Sequence, residues 1–347
     1  MMFRYTVALS MQPCLASTQS NIIWSIFLAA SLAAFPFATC ISNTIMTNNE
    51  SFDVIIIGGS YAGLSAGMAL GRALKKVLII DSGKPCNAQT PYSHNFLTQD
   101  GKTPQQIAMI AREQVDQYKT IEHYPGVATS GKKTNDGFKI AIASGEIFNG
   151  KKLIFATGVR DTMLPIDGFA ECWGISIIHC PYCHGYEVRN EKTGIIGNGD
   201  AGFELSKEIY NWTKDLTLFT NGKSVLSKDQ AEKLKQKNID VLETEIEEFV
   251  HNNGQLQHVV LKGGTKVVMK AVYARPSYEQ HCIIPQTLGC CLTEQGHIKV
   301  DMFQKTTIEG VFACGDNSTP LRSVSNAAAT GTTAGAMANK ALVADEF

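Results

Sequence analysis

Asp53-Val54-Ile55-Ile56-Ile57-Gly58-Gly59-Ser60-Tyr61-Ala62-Gly63 is the stretch that decides the fold. Its apolar half is an unbroken run, as expected of a strand buried on both faces of a parallel sheet. Its glycine half passes into Leu64-Ser65-Ala66-Gly67-Met68-Ala69-Leu70, a helix of small residues, and Lys76-Val77-Leu78-Ile79-Ile80-Asp81 then gives a second strand ending in an acid. Strand, glycine turn, helix and strand in this order make a dinucleotide-binding unit. Gly58 permits the tight turn, and Gly63 lets helix and strand approach. The helix N-terminus offers unpaired N–H groups to a pyrophosphate, and Asp81 can hold ribose hydroxyls. Ser60 stands where a glycine would bring the backbone closest to the phosphates, so the pattern is G-x-S-x-x-G and the fit is looser or compensated elsewhere.

A second copy begins at Gly194-Ile195-Ile196, turns through Gly197-Asn198-Gly199-Asp200-Ala201-Gly202, enters a helix at Phe203-Glu204-Leu205 and returns as Leu216-Thr217-Leu218-Phe219-Thr220. One glycine fingerprint is weak evidence; two, each between a strand and a helix, are strong. Counting from the first glycine puts Thr220 where Asp81 stands in the first unit. An acid there would repel a 2′-phosphate, so neutral Thr220 followed by Asn221, Gly222 and Lys223 tolerates NADPH. The competing reading is that the second unit binds no nicotinamide and serves as scaffold.

The chain has 347 residues, enough for two domains with separate cores. Lys and Arg total 31 against 32 Asp and Glu, a net charge of −1, which leaves no broad basic field for nucleic acid. Ten cysteines are scattered irregularly, and only Cys180/Cys183 and Cys290/Cys291 are close in sequence. That is not the lattice of a small secreted domain and fits a reducing, cytoplasmic compartment. Residues 1–50 are set apart: no charge appears between Arg4 and Glu50, and Ile22 to Thr39 is almost wholly apolar. They read as an over-extended start, with Met46 as the natural beginning, or as a signal or membrane anchor acting through residues 5–40.

Between the two fingerprints, Leu153-Ile154-Phe155-Ala156-Thr157-Gly158 closes a strand and turn, and Ile178-His179-Cys180-Pro181-Tyr182-Cys183-His184-Gly185-Tyr186-Glu187 follows. Two cysteines at this spacing can close a small disulfide ring and reopen it, and a helix N-terminus lowers a thiolate pKa. His184 is placed in sequence to move the proton that exchange requires. Three other readings stay open. Cys-x-x-Cys-His is also a haem attachment pattern; His179, Cys180, Cys183 and His184 could ligate zinc, though one short segment reaches tetrahedral geometry poorly; and the pair could be inert and buried. The two dinucleotide units leave a haem no obvious role, the usual distant second ligand pair for zinc is not evident, and no metal site is expected.

With these motifs the chain resembles the low-molecular-weight thioredoxin reductases and their thiol-oxidising relatives, over roughly residues 51 to 345. Gly310-Val311-Phe312-Ala313-Cys314-Gly315-Asp316 completes the likeness. The resemblance implies FAD on the first unit, with Thr157, Gly158, Gly315, Asp316 and Asn95 near it and the small-residue helix Ala327 to Ala338 as a wall. It implies Cys183 toward the flavin, Cys180 toward substrate, a homodimer, and a hinge that alternates which cysteine meets the flavin. Two positions depart from typical reductases. His184 replaces an acid after the second cysteine, and Asn221-Gly222-Lys223 replaces a basic cluster. Cys-x-x-Cys-His-Gly-Tyr-Glu is closer to dithiol oxidases, which close disulfides in small molecules and pass electrons to oxygen.

The expected architecture is α/β: two Rossmann-like, three-layer nucleotide-binding domains, the second inserted into the first. The first spans 51–161 and 286–347, and the second 162–285. Met163-Leu164-Pro165-Ile166-Asp167-Gly168 and Ala274-Arg275-Pro276-Ser277 punctuate the crossings. The expected chemistry runs from NADPH through FAD to Cys180–Cys183 and on to a thioredoxin-like protein or a small disulfide. The alternatives are the reverse, oxygen-coupled direction and a flavoprotein that only senses redox state.

Overall fold

The computed structural model describes residues 47–347; the apolar run 22–39 and Met46 lie outside the described residues. The chain opens with β1 (Thr47–Ile57), α1 (Tyr61–Arg72), β2 (Val77–Asp81), α2 (Pro104–Val115) and β3 (Ile121–Pro125). The antiparallel strands β4 (Ala128–Thr134) and β5 (Gly137–Ile142) lead into β6 (Ile147–Phe155) and the crossing strand β7 (Val159–Asp161). Then come α3 (Phe169–Cys172), β8 (Ile177–Ile178), α4 (Pro181–His184), β9 (Thr193–Ile196), α5 (Gly199–Ile209), β10 (Leu216–Phe219), α6 (Lys228–Gln236) and β11 (Asp240–Leu242). A meander of β12 (Ile246–Asn252), β13 (Gln255–Leu261) and β14 (Lys266–Val268) precedes β15 (Ala271–Ala274). The returning β16 (Tyr278–Gln280) is followed by α7 (Ile284–Thr287), β17 (Val311–Ala313) and α8 (Val324–Glu346).

The first sheet has the order β3-β2-β1-β6-β5-β4, with β17 also beside β6. Strand β6 serves two neighbours on one side: its first half pairs antiparallel with β5 and Leu153–Phe155 pairs parallel with β17. Alternation along β1 separates two cores, as the period of two in a strand requires. Val54 and Ile56 pack with Ala62, Ala66 and Leu70 of α1 and with Ala334, Ala338 and Leu342 of α8. Ile55 and Ile57 pack on the opposite face with Phe138, Phe148, Phe155, Ile284 and Ile298. Each buried Val, Ile, Leu or Phe side chain among them contributes about 1.5–3 kcal/mol. Helices α1 and α8 meet backbone to backbone: a Cβ on Gly331 would lie 2.1 Å from Ala62 O, and one on Gly335 2.5 Å from Ala66 O.

The second sheet is parallel throughout, in the order β11-β10-β9-β15-β8. One face packs Ile195, Leu218 and Tyr273 against Leu205 and Ile209 of α5 and Leu234 of α6. The other buries Phe219 and Val272 against the meander and α3 through Phe249, Val259, Phe169 and Trp173. Every strand of this sheet lies between β7 and β16 in the chain, so the second unit is inserted into the first. Strands β7 and β16 pair antiparallel, Tyr278 opposite Asp161 and Gln280 opposite Val159, and join the outgoing and returning chain. Among the described residues no helix is long and apolar enough to cross a membrane.

Candidate active site

The first glycine turn is built by close approach. Gly58 has φ +104°, and a Cβ there would sit 2.2 Å from Ala156 O. A Cβ on Gly63 would sit 1.8 Å from Gly58 O. Ser60 is the N-cap of α1 in an extended conformation, and its side chain makes no capping hydrogen bond. The first N–H groups of α1 therefore have no side-chain acceptor, which leaves them for an anion. Asp81 ends β2 and accepts from Gly59 N at 2.8 Å and Gly83 N at 2.9 Å, so the acid also fixes the turn.

Across the turn, Thr157 Oγ1 accepts from Asn317 Nδ2 at 3.2 Å, and the same amide donates to Phe155 O at 2.9 Å. Gly158, at φ +63°, has open space where a side chain would point. Gly315 donates its N–H to Thr330 Oγ1 at 3.0 Å, and Asn95, at φ +61°, donates its own to Asp100 Oδ1 at 2.7 Å. Asp316 lies against Arg322, whose Nε is 3.5 Å from its Oδ2. Burial pushes the Asp316 carboxyl up against the opposing pull of Arg322. Arg322 in turn forks onto Asp161, Nη1 to Oδ1 at 2.7 Å and Nη2 to Oδ2 at 2.8 Å. Neither Asp161 nor Arg322 was among the residues expected from sequence; Arg322 is the sole arginine after Arg275, the one signal that could have drawn attention to it.

Cys180 and Cys183 are bonded to each other, with Cα atoms 5.3 Å apart. Cys180 is the N-cap of α4, Pro181 fills its first position, and Cys183 N donates to Cys180 Sγ at 3.1 Å. Pro181 supplies the φ a helix start needs. The turn closes on Trp212, because a Cβ at Gly185 would meet Pro181 O at 2.4 Å and the indole at 2.9 Å. Tyr182 stands edge-on to the same indole at 5.4 Å and is 67% exposed. Since the helix is a single turn, its dipole reaches the Cys180 sulfur less strongly than a full helix would.

Two histidines flank the pair. His179 stacks on Trp173, ring centroids 5.8 Å apart, and its Nε2 is buried without a hydrogen-bond partner. Burial, aided by the charge of Arg322, holds its pKa down at about 4. His184 is also lowered, first by burial and then by His94, while Glu187 opposes the shift. Both rings are neutral at pH 7. The two cysteine sulfurs are joined to each other, and among the described residues no group of three or more His, Cys, Asp or Glu is placed to hold a metal ion.

The second glycine turn is formed but differs from the first. A Cβ on Gly202 would lie 2.7 Å from the carbonyl carbon of Gly197. Asn198 caps α5, its Oδ1 accepting from Gly199 N at 2.8 Å and Val225 N at 2.9 Å. Its Nδ2 donates to Lys223 O at 2.9 Å, which draws the loop after β10 over the helix start. Thr220 is buried, and its hydroxyl donates to Gly222 O at 2.7 Å. The side chain at the ribose position thus turns inward, leaving exposed Lys223 as the cation of this loop.

Residues 52–331 match the family described as pyridine nucleotide-disulphide oxidoreductase. The chain belongs to that family. It is 35% identical over 313 residues to thioredoxin reductase tcpT of Claviceps purpurea, which covers 86% of this chain and 97% of that protein. An oxidoreductase structure from Agrobacterium tumefaciens is 37% identical with a TM-score of 0.80, covering 85% of this chain and 99% of its own. A putative thioredoxin reductase TrxB from Bacillus anthracis is 29% identical with a TM-score of 0.81, covering 85% and 100%. This pyridine nucleotide-disulphide oxidoreductase is therefore a thioredoxin reductase-like, FAD-dependent enzyme whose cofactors are FAD and NADPH. The first turn fits FAD, with an uncapped α1 and open space at Gly158. The second turn is closed tightly at its glycines, but Asn198 Oδ1 already takes the Gly199 N–H, and its loop offers a 2′-phosphate little beyond Lys223.

Proposed function

We propose that Cys180 and Cys183 relay an electron pair between FAD and a substrate disulfide, with NADPH as the source. The observation that carries this reading is the bonded pair at the N-cap of α4 beside a neutral, half-buried His184. Gly58, Ser60, Gly63 and Asp81 would hold the dinucleotide part of FAD, and Asn95, Thr157, Gly158, Gly315 and Asp316 its flavin part. Gly197, Gly199, Gly202 and Lys223 would hold NADPH. Bound FAD supplies a two-electron store. The division into 51–161 with 286–347 and an inserted 162–285 supports a hinge at β7 and β16.

The Cys180–Cys183 bond takes up two electrons and two protons and opens to two thiols. His184 takes the Cys180 proton, and the thiolate attacks one sulfur of the substrate disulfide. A mixed disulfide forms, and the expelled substrate sulfur takes the proton from His184. Cys183 then loses its proton and attacks the Cys180 sulfur; the second substrate sulfur leaves as a thiol and the protein disulfide re-forms. Cys183 takes the flavin side of this exchange and Cys180 the substrate side.

The reverse direction has its own support in the inward-turned Thr220 and the self-capped α5, which weaken the nicotinamide site. There a dithiol substrate opens Cys180–Cys183, and the electron pair leaves with two protons to oxygen as hydrogen peroxide. The partner is a thioredoxin-like protein or a small dithiol or disulfide, reached over exposed Tyr182 and Tyr186, and the working form is a homodimer. Cys86, Cys172, Cys282, Cys290, Cys291 and Cys314 are all unbonded, which favours a reducing, cytoplasmic setting. The test is anaerobic reduction of the purified yellow protein. Bleaching by NADPH supports the reductase direction; bleaching by a dithiol alone, with colour and peroxide returning in air, overturns it.

A further inference from the structure

We infer that His94 is a positioning residue for the Cys180–Cys183 chemistry, set between the carboxylates of Asp100 and Glu187 so that it balances the charge facing His184. The inference rests on the reading that His184 handles the protons. His94 Nδ1 lies 3.4 Å from Asp100 Oδ2 and its Nε2 lies 3.5 Å from Glu187 Oε1. One carboxylate on each ring nitrogen means that the full set of contacts exists only when both nitrogens carry a proton. The loop that presents the ring is itself fixed. Ser93 N donates to Lys102 O at 2.8 Å, Gly101 N donates to Ser93 O at 2.9 Å, and Asp100 Oδ1 holds Asn95 N at 2.7 Å.

Glu187 belongs to the segment just after α4, whereas His94 and Asp100 lie ahead of α2, so the contact ties the loop of the first unit to the disulfide segment of the second. The charged groups that bear on His184 are Glu187, which favours its proton, and His94, which opposes it. Those that face His94 are Asp100, Glu187 and His184, with the Tyr92 ring 6.5 Å away. With both ring nitrogens of His94 protonated, its Nε2 proton faces Glu187 and offsets the pull of that carboxylate on His184. Without it, Glu187 acts on His184 alone and retains the proton there.

The test uses the FAD-loaded protein and two readouts across pH. One is the rate at which dithiothreitol bleaches the flavin anaerobically. The other is iodoacetamide alkylation of Cys180 in the reduced protein, followed by peptide mass, which does not depend on turnover. His94→Gln is expected to move the acid limb of both profiles up by roughly half a unit to one unit, and Glu187→Gln to move it down. The double variant is expected to return near the wild-type limb, which separates charge balance from misfolding. If both single variants overlay the wild type while His184→Gln abolishes the limb, the inference fails and His184 keeps its role. If His184→Gln leaves the limb in place, the role of His184 fails, and the inference with it.

Discussion

Arg322 and Asp161 are joined by two parallel hydrogen bonds across 161 residues of chain. Asp161 is the last residue of β7, at the crossing between the two units, and Arg322 precedes α8. Their side chains are 6% and 15% exposed, so the fork works in a dry setting. Removing one member of such a pair leaves a buried charge without a partner. Arg322→Met is expected to cost about 3–5 kcal/mol. Arg322→Lys keeps the charge but loses the fork, at about 2 kcal/mol. Urea unfolding of both variants checks the ranking, and flavin content per chain is expected to fall in the same order, because Arg322 also holds Asp316.

Contact between α1 and α8 makes a separate prediction about stability alone. Gly331 and Gly335 let the two backbones meet, and any side chain there meets the carbonyl of Ala62 or Ala66. Gly335→Leu forces the helices apart and is expected to cost about 1–3 kcal/mol or more. Ala336→Ser, on the exposed side of the same turn, is expected to stay within about 0.5 kcal/mol of wild type. Denaturant midpoints at equal m-value decide it.

What the sequence made legible follows from what each position must satisfy by itself. The tight turn at Gly58 is legible because a steric demand, positive φ beside the Ala156 carbonyl, leaves a mark in one residue. The Cys180–Cys183 pair is legible because both partners of the bond lie within one short segment. Asp161, His94 and Glu187 carry no such mark, since their partners are brought to them only by the tertiary fold. Thr220 was counted as a ribose position, yet its hydroxyl turns to the Gly222 carbonyl, a choice made by the loop after β10. The expected helix Ala327 to Ala338 is only the inner part of α8, which runs from Val324 to Glu346 behind an N-cap at Ser323. Its run of small residues carries too little alternation to show its ends.

His179 gives a pH prediction. Its pKa is about 4 in the folded chain against 6.5 for a free imidazole, because burial penalises the charged ring. The unfolded chain therefore binds a proton that the folded chain refuses, and stability falls as pH drops from above 6.5 toward 4. Between pH 7 and pH 5 the wild type is expected to lose about 2 kcal/mol more than His179→Phe, which keeps the stack on Trp173 but has nothing to protonate. Urea midpoints of the two proteins at both pH values measure the difference. Equal losses would sink the claim that His179 is held neutral.

The second glycine turn yields the prediction that bears most on electron flow. Asn198 Oδ1 occupies the Gly199 and Val225 N–H groups and so satisfies from within what an incoming phosphate would otherwise meet. An N-cap of this kind contributes about 1 kcal/mol to the helix. Asn198→Ala is therefore expected to lower stability by about that amount while tightening NADPH binding, since the freed N–H groups favour an anion. Lys223→Ala is expected to weaken NADPH about three- to fivefold and leave NADH unchanged, because an exposed lysine acts only on the extra phosphate. Equilibrium titration of each nucleotide against the oxidised protein measures both. A chain in which neither substitution moves NADPH binding, and in which dithiols still bleach the flavin, draws its electrons through Cys180 and Cys183 from the substrate side.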